Sequence, residues 1–306
     1  MTTEYQTCRL CCKKKELRES HIIPKFVFDW QKESSGTGFL RSSEMPNKRV
    51  QDGKKEHMLC GDCETLLNQW ETPFATKIFH PLNKREAIRL EYQSWLLKFA
   101  VSVSWRVLTW YKPDTLSEIS ESGKALIAKA LQTWKEFLFD QHPHPGSFEQ
   151  HMILLDVIKS IQNIDNLPPN WNRFMTRGCH INLAHSEGHP LYIYTKMGRI
   201  TLLGFIGINY PRQWVGTKIH VKRGIIGGNI KLPVQFLDYM KDRAITELHQ
   251  QDRISKNQNE AINRTYRKDP GRGVMSETFQ SLDHDVRLFG ISAVFNKKDA
   301  SNESSN

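Results

Sequence analysis

Cys8-Arg9-Leu10-Cys11 and Cys60-Gly61-Asp62-Cys63 decide how the first quarter of this chain folds, and Leu17-Arg18-Glu19-Ser20-His21-Ile22-Ile23-Pro24 lies between them. Each Cys-x2-Cys pair can present two thiolates from one tight turn. Two such pairs in a chain of six cysteines predict a tetrahedral zinc site on Cys8, Cys11, Cys60 and Cys63. Forty-eight residues separate the pairs, more than a simple zinc ribbon needs, so the ion is expected to tie together two ends of a small irregular domain.

The second pair runs straight into a helical pattern, with Leu66, Leu67, Trp70 and Phe74 recurring near helical spacing. One pair on a loop and one opening a helix is the treble-clef arrangement. Between Pro24 and Cys60 short apolar pieces alternate with turn formers, and Asp52-Gly53 between Val50 and Met58 predicts a hairpin that delivers the chain to Cys60. That insert carries Arg41, Lys48, Arg49, Lys54 and Lys55. They read either as a solvated basic loop or as a grip on nucleic-acid phosphates.

Taken together, Cys-x2-Cys, a short strand ending in Ser20-His21-Ile22-Ile23-Pro24, and Leu59-Cys60-x2-Cys63 opening a helix resemble the four-cysteine branch of the HNH (ββα-metal) nucleases. The resemblance covers residues 5 to 75. It implies His21 as the general base that activates water, and a divalent ion, Mg2+ or Mn2+, held by Glu64 with help from Glu19. It implies DNA as the substrate and, by analogy with the family, a part in defence against foreign DNA. The sequence departs from the family in three places. Ser20 precedes the base where an acidic residue or His is usual, Glu64 follows the last cysteine where His or Asn is usual, and Lys55 replaces the central Asn. A non-catalytic zinc module that binds nucleic acid or a protein partner is therefore the alternative reading. Nothing in the residues reads a 2′-hydroxyl, so RNA stays open beside DNA.

With 306 residues and 39% apolar content the chain has the composition of a globular protein with a sizeable core. Its formal charge of +10 falls by about two units if four thiolates hold one Zn2+, and the remaining positive excess suits a polyanionic partner. No apolar leader occupies residues 1–15, the apolar stretch Trp95–Trp110 is too short to span a bilayer, and unpaired cysteines fit a reducing compartment; the expected location is cytoplasmic. No Walker, Rossmann or nucleophile-elbow pattern is present, which removes nucleotide-driven and serine-hydrolase chemistry from consideration.

Beyond the zinc segment the expected class is α+β: an amino-terminal HNH-like domain over 1–80, a helical domain over 81–170, and a small antiparallel sheet with a carboxy-terminal helix over 171–296. An Asn/Ser-rich disordered tail over 297–306 ends it. Trp95–Trp110 is apolar on most sides and predicts a central buried helix, followed by helices over 115–140 and 147–164. His142 and His144 read as a stiff Pro-rich connection. A hairpin is expected over 189–208, a second pair of strands over 214–221 and 225–232, and a helix from Pro233 to about Tyr266. His180, His185 and His189 have a spacing that suits neither a helical metal face nor a knuckle.

Overall fold

The computed structural model describes residues 5–42, 44–84, 89–111, 116–160, 166–185, 191–207 and 211–294. The chain starts with β1 (Gln6–Thr7), β2 (Lys14–Lys15), β3 (Leu17–His21), α1 (Lys25–Glu33), β4 (Leu40–Arg41) and β5 (Arg49–Val50). Then come β6 (Lys55–Cys60), α2 (Gly61–Phe74), a π-helical turn (Ala75–Phe79), α3 (His80–Asn83), β7 (Leu90–Gln93), α4 (Trp95–Trp110) and α5 (Glu121–Leu138). They are followed by β8 (Gln150–Leu154), α6 (Trp171–Arg177), β9 (Cys179–Ala184), β10 (Tyr192–Met197), β11 (Ile200–Phe205) and β12 (Arg223–Ile226). Four helices close the described chain: α7 (Val234–Gln251), α8 (Lys256–Lys268), α9 (Pro270–Met275) and α10 (Glu277–Phe289). It is a mixed helix-and-strand protein with small sheets. The chain divides into two compact units, one from residues 1–25, 53–154 and 179–232, the other from 26–52, 155–178 and 233–306.

The first unit is built around α4. Every residue from Leu96 to Leu108 is buried, as the apolar pattern predicts, and the two charged residues in that run are neutralised in place. Lys98 pairs with Asp140 at 2.7 Å and lies over the Phe137 ring, while Arg106 pairs with Glu71 of α2 at 2.7 Å. One side of α4 meets α2 and α5, and another meets the antiparallel sheet of order β8-β11-β10-β9. Contact with the sheet is close because Gly204 has no side chain: a Cβ there would sit 2.4 Å from Ser104 Oγ. Ser104 instead donates to Gln150 Oε1 at 2.7 Å, joining helix to sheet.

Several elements differ from expectation. Residues 147–160 do not form a helix, Gln150–Leu154 being a strand paired with β11, and the rest of the helix expected over 147–164 lies outside the described residues. The Met152-Ile153-Leu154-Leu155 run fits a buried strand as well as a helix face; the buried Gln150 takes its Oε1 bond from Ser104 of α4, and the buried His151 Nδ1 is bonded to Thr217 Oγ1. Asp52-Gly53 is not a hairpin turn, since β5 pairs with β4 and β6 with β3. Trp214–Val221 and Ile225–Leu232 meet only at the Val215–Lys231 bridge, and β12 takes β7 as its partner. By contrast, the helix that opens at the second cysteine pair carries Pro73 inside it, and its winding loosens into the π-helical turn two residues later. The strands of the hairpin expected over 189–208 appear as β10 and β11, with its ends at 189–190 and 208 outside the described residues.

The second unit packs α6 against α10. Asp285 of α10 is fully buried and accepts from the amides of Asn172 (2.7 Å) and Arg173 (3.2 Å) at the start of α6. Burial pushes its carboxyl up to about 6, against the pull of those amides and of Arg173. The helix expected to run unbroken to Tyr266 stops at Gln251, and Ser255 caps α8 by accepting from the Gln258 amide. Asp269 then caps α9, in the Lys268-Asp-Pro-Gly-Arg-Gly273 stretch whose composition suggests a frayed end, and Ser276 caps α10. Phe26-Val27-Phe28, read as a short apolar piece, lies inside α1. The tail over 297–306 lies outside the described residues.

Candidate metal centre and neighbouring polar face

Both cysteine pairs converge. The ligand atoms of Cys8, Cys11, Cys60 and Cys63 all lie within 4.8 Å of one another, so the set could hold a metal ion such as zinc. Among the described residues these four make the one such group of His, Cys, Asp or Glu. Local backbone geometry explains the convergence. The first pair sits on a tight turn in which the Cys12 amide donates to the Cys8 carbonyl at 2.8 Å, a turn that leaves Cys12 at a φ of 58°. In the second pair Cys60 is the last residue of β6 and Cys63 lies in the first turn of α2. The Cys60 amide reaches across to Cys8 Sγ at 3.4 Å, and Arg9 bonds the Met58 carbonyl at 2.9 Å, so backbone bonds lock the two pairs together.

Thiols packed this closely cannot all ionise without a counter-cation. Burial opposes the Cys8 thiolate, but amide hydrogen bonds from Cys11, Cys60 and Leu10 outweigh it and bring its pKa to about 7. Burial pushes the Cys63 thiol up, and the charge on Cys8 pushes it further. A soft divalent cation removes that repulsion, which is the chemistry expected of a structural zinc site. Cys12, next to the first pair, is exposed and stands outside the group, with Lys135 Nζ 2.9 Å from its sulfur.

β3 and β6 are antiparallel, with a register shift between Arg18 and Glu19, and α2 continues directly from β6 and packs on both strands. The pairing sets Glu19 opposite His57 and His21 opposite Lys55. Alternation along β3 puts Glu19 and His21 on one side of the ribbon and Ser20 on the other, where it is 2% exposed and donates to the Arg18 carbonyl. Glu19 forms an ion pair with Lys55 at 3.3 Å. The half-buried His21 has its backbone held from outside the ribbon, because Arg106 Nη1 donates to the His21 carbonyl at 3.2 Å. Glu64 sits in the first turn of α2; its Oε1 is shielded from solvent and has no hydrogen-bond partner among the described residues.

The basic residues of the insert do not share one hairpin. Arg41, Lys48 and Arg49 belong to the second unit, where Arg49 lies 4.0 Å from the Phe39 ring centroid and burial lowers the Arg41 pKa. Lys54 and Lys55 belong to the first, with Lys54 over the Trp110 ring. His142 pairs with Glu136 and His144 accepts from the Gly146 amide, as befits a connection. His180 lies in β9, His185 is exposed, and His189 is outside the described residues.

The sequence reading missed His57, which faces Glu19, and the pair Arg106–Glu71. An arginine inside an otherwise apolar helix was the available signal, since such a group must find a buried anion. No protein-family model, curated protein or solved structure matches this chain.

Proposed function

We propose that residues 5–25 and 53–75 of the first unit form a treble-clef, HNH-like ββα-metal fold and that the protein is a metal-dependent endonuclease hydrolysing DNA phosphodiester bonds. The observation that carries this reading is the order of parts: His21 ends one strand, its antiparallel partner ends at Cys60, and the helix that follows carries Cys63 and Glu64. In this assignment Cys8, Cys11, Cys60 and Cys63 hold a structural zinc, which fixes the strand–helix junction. His21 takes a proton from water as the water oxygen attacks phosphorus and the bond to the leaving oxygen breaks. Glu64, with an oxygen uncommitted to any hydrogen bond, is the carboxylate suited to a hard cation such as Mg2+ or Mn2+, and Glu19 is its helper. When bound, that cation supplies charge stabilisation to the phosphate in flight and to the leaving oxygen. Arg106 holds the His21 carbonyl and so orients the base.

A second reading, a zinc module that binds nucleic acid or a protein partner without cleaving, is favoured by two contacts: Glu19 is engaged by Lys55, and Ser20 faces inward. The test is cleavage of plasmid DNA by the full chain with added Mg2+ or Mn2+. On the nuclease reading, His21→Ala lowers the rate by about 100-fold or more and leaves zinc content and DNA affinity unchanged. Glu64→Ala lowers the rate and weakens its dependence on the added cation. A full chain that retains its zinc, binds DNA and shows no cation-dependent cleavage leaves the binding module as the function.

A further inference from the structure

Residues 188–237 contain no Asp or Glu, an unusual gap in a chain with 33 acidic residues. Among its described residues, Arg223–Ile226 form β12 of the two-stranded ribbon β7–β12 in the first unit. Its register pairs Arg223 with Gln93 and Ile225 with Glu91, and all four residues are exposed. The alternate pairs, Gly224 with Tyr92 and Ile226 with Leu90, form the inner face, where Tyr92 and Ile226 are buried. The ribbon is pinned down by Tyr92, whose hydroxyl accepts from the His220 amide at 2.9 Å and lies where a Cβ on residue 224 would be, so only glycine fits there. Arg89 and Lys222, both exposed, adjoin the two strands in sequence; Lys231, also exposed, forms the bridge with Val215, three residues after the exposed Arg212, and Glu91 is the lone carboxylate on the ribbon.

We propose that this ribbon enters the major groove of duplex DNA, with Arg223, Gln93, Ile225 and Glu91 turned to base edges and Lys222, Lys231, Arg212 and Arg89 turned to phosphates. The major groove, about 12 Å wide, admits a two-stranded β-ribbon, and four residues at about 3.3 Å each give a ribbon of matching length. The outward set has the matching chemistry: Arg for guanine, Gln for adenine, a carboxylate for the cytosine amino group and an aliphatic chain for the thymine methyl. Duplex RNA is disfavoured because its major groove is too deep and narrow for side chains to read. An anionic membrane would call for an aromatic anchor at the interface beside the exposed aliphatics Val215, Val221, Ile225 and Ile230. The one aromatic residue between 211 and 231, Trp214, is instead buried against Phe205 and His151. The proposal rests on the reading of a DNA-acting protein, but it concerns binding alone and stands or falls apart from cleavage.

The experiment uses the zinc-loaded full chain without added Mg2+ and follows anisotropy of a labelled mixed-sequence duplex over a salt series, together with selection from a random duplex library. Lys222→Glu/Lys231→Glu is expected to weaken binding by about tenfold or more and to flatten the log–log salt slope by about two, one per lost phosphate contact. Arg223→Ala is expected to leave the slope nearly unchanged while erasing a guanine preference that the parent chain selects. Both variants alter exposed groups, and unchanged melting confirms that they fold. An unaltered affinity and slope in the double variant, a parent chain that selects no sequence, or tighter capture by phosphatidylserine vesicles than by duplex would each overturn the proposal. Retained cleavage defects in His21→Ala alongside normal binding by the ribbon variants would sink this surface and spare the nuclease reading; the reverse pattern would do the opposite.

Discussion

Arg106, 2% exposed in the middle of α4, meets Glu71 of α2 at 2.7 Å, and the same guanidinium holds the His21 carbonyl. One buried cation thus ties the core helix to β3 and α2 of the candidate site. Arg106→Met removes the partner of a largely buried carboxylate and is expected to destabilise the fold by about 3–5 kcal/mol in urea denaturation. Adding Glu71→Leu should recover most of that loss, because the uncompensated charge is gone. If the double variant is no more stable than the single one, the ion pair is not what the single variant lost.

Metal content tests the cysteine cluster directly. The purified chain is expected to carry close to one zinc, and Cys8→Ser or Cys63→Ser should unfold or aggregate the surrounding segment. The binding free energy of such a site, on the order of 10 kcal/mol, is also folding free energy. Unchanged melting after loss of both cysteines of one pair would refute a structural ion.

Gly204 offers a test of packing. Alanine there brings a methyl to 2.4 Å from Ser104 Oγ and 2.8 Å from Ser104 Cβ, so Gly204→Ala is expected to cost about 1–3 kcal/mol through overpacking. Ser104→Gly in the same chain should make the two effects non-additive, since the residues touch. Additive losses would mean that helix and sheet are not in contact at this point.

Asp285 predicts a pH effect of unusual sign. Its folded-state pKa, about 6, lies above the ordinary aspartate value, so the folded chain holds this proton more tightly than the unfolded chain. Its contribution is therefore fully present below about pH 4 and is lost as pH rises through about 6, roughly 3 kcal/mol in all. Asp285→Asn keeps a neutral polar group in place. The stability difference between parent and variant should move in favour of the variant between about pH 4 and about pH 7. A difference that stays flat over that range would contradict the shift.

What could be read from the sequence was local. The cysteine pairs, the helix opening at the second pair and the buried Trp95–Trp110 helix each rest on spacing within a few turns of chain, and each appears. Pairing over long distances was not legible. Asp52-Gly53 has the chemistry of a tight turn, yet β6 pairs with β3, more than thirty residues earlier, because Met58, Leu59 and Cys60 are buried there. β8 was hidden for a related reason: four apolar residues in a row suit a strand or a helix, and only the free edge of β11 decides between them. At the candidate site His21 and Glu64 stood out by their motif, whereas Arg106 and His57 come near only through the fold.

Each compact unit is assembled from three separate stretches of chain, and this sets a timetable for synthesis on the ribosome. All four sulfur ligands have been made by residue 63, so an ion can be captured while most of the protein is still untranslated. The sheet beneath α4, by contrast, draws its strands from 150 to 205 and cannot close until much later. Throughout that interval α4 would expose its apolar flank, a surface prone to aggregation. An ion held there would close a loop of about fifty residues and so reduce the entropy lost when β3 and β6, both inside that loop, pair.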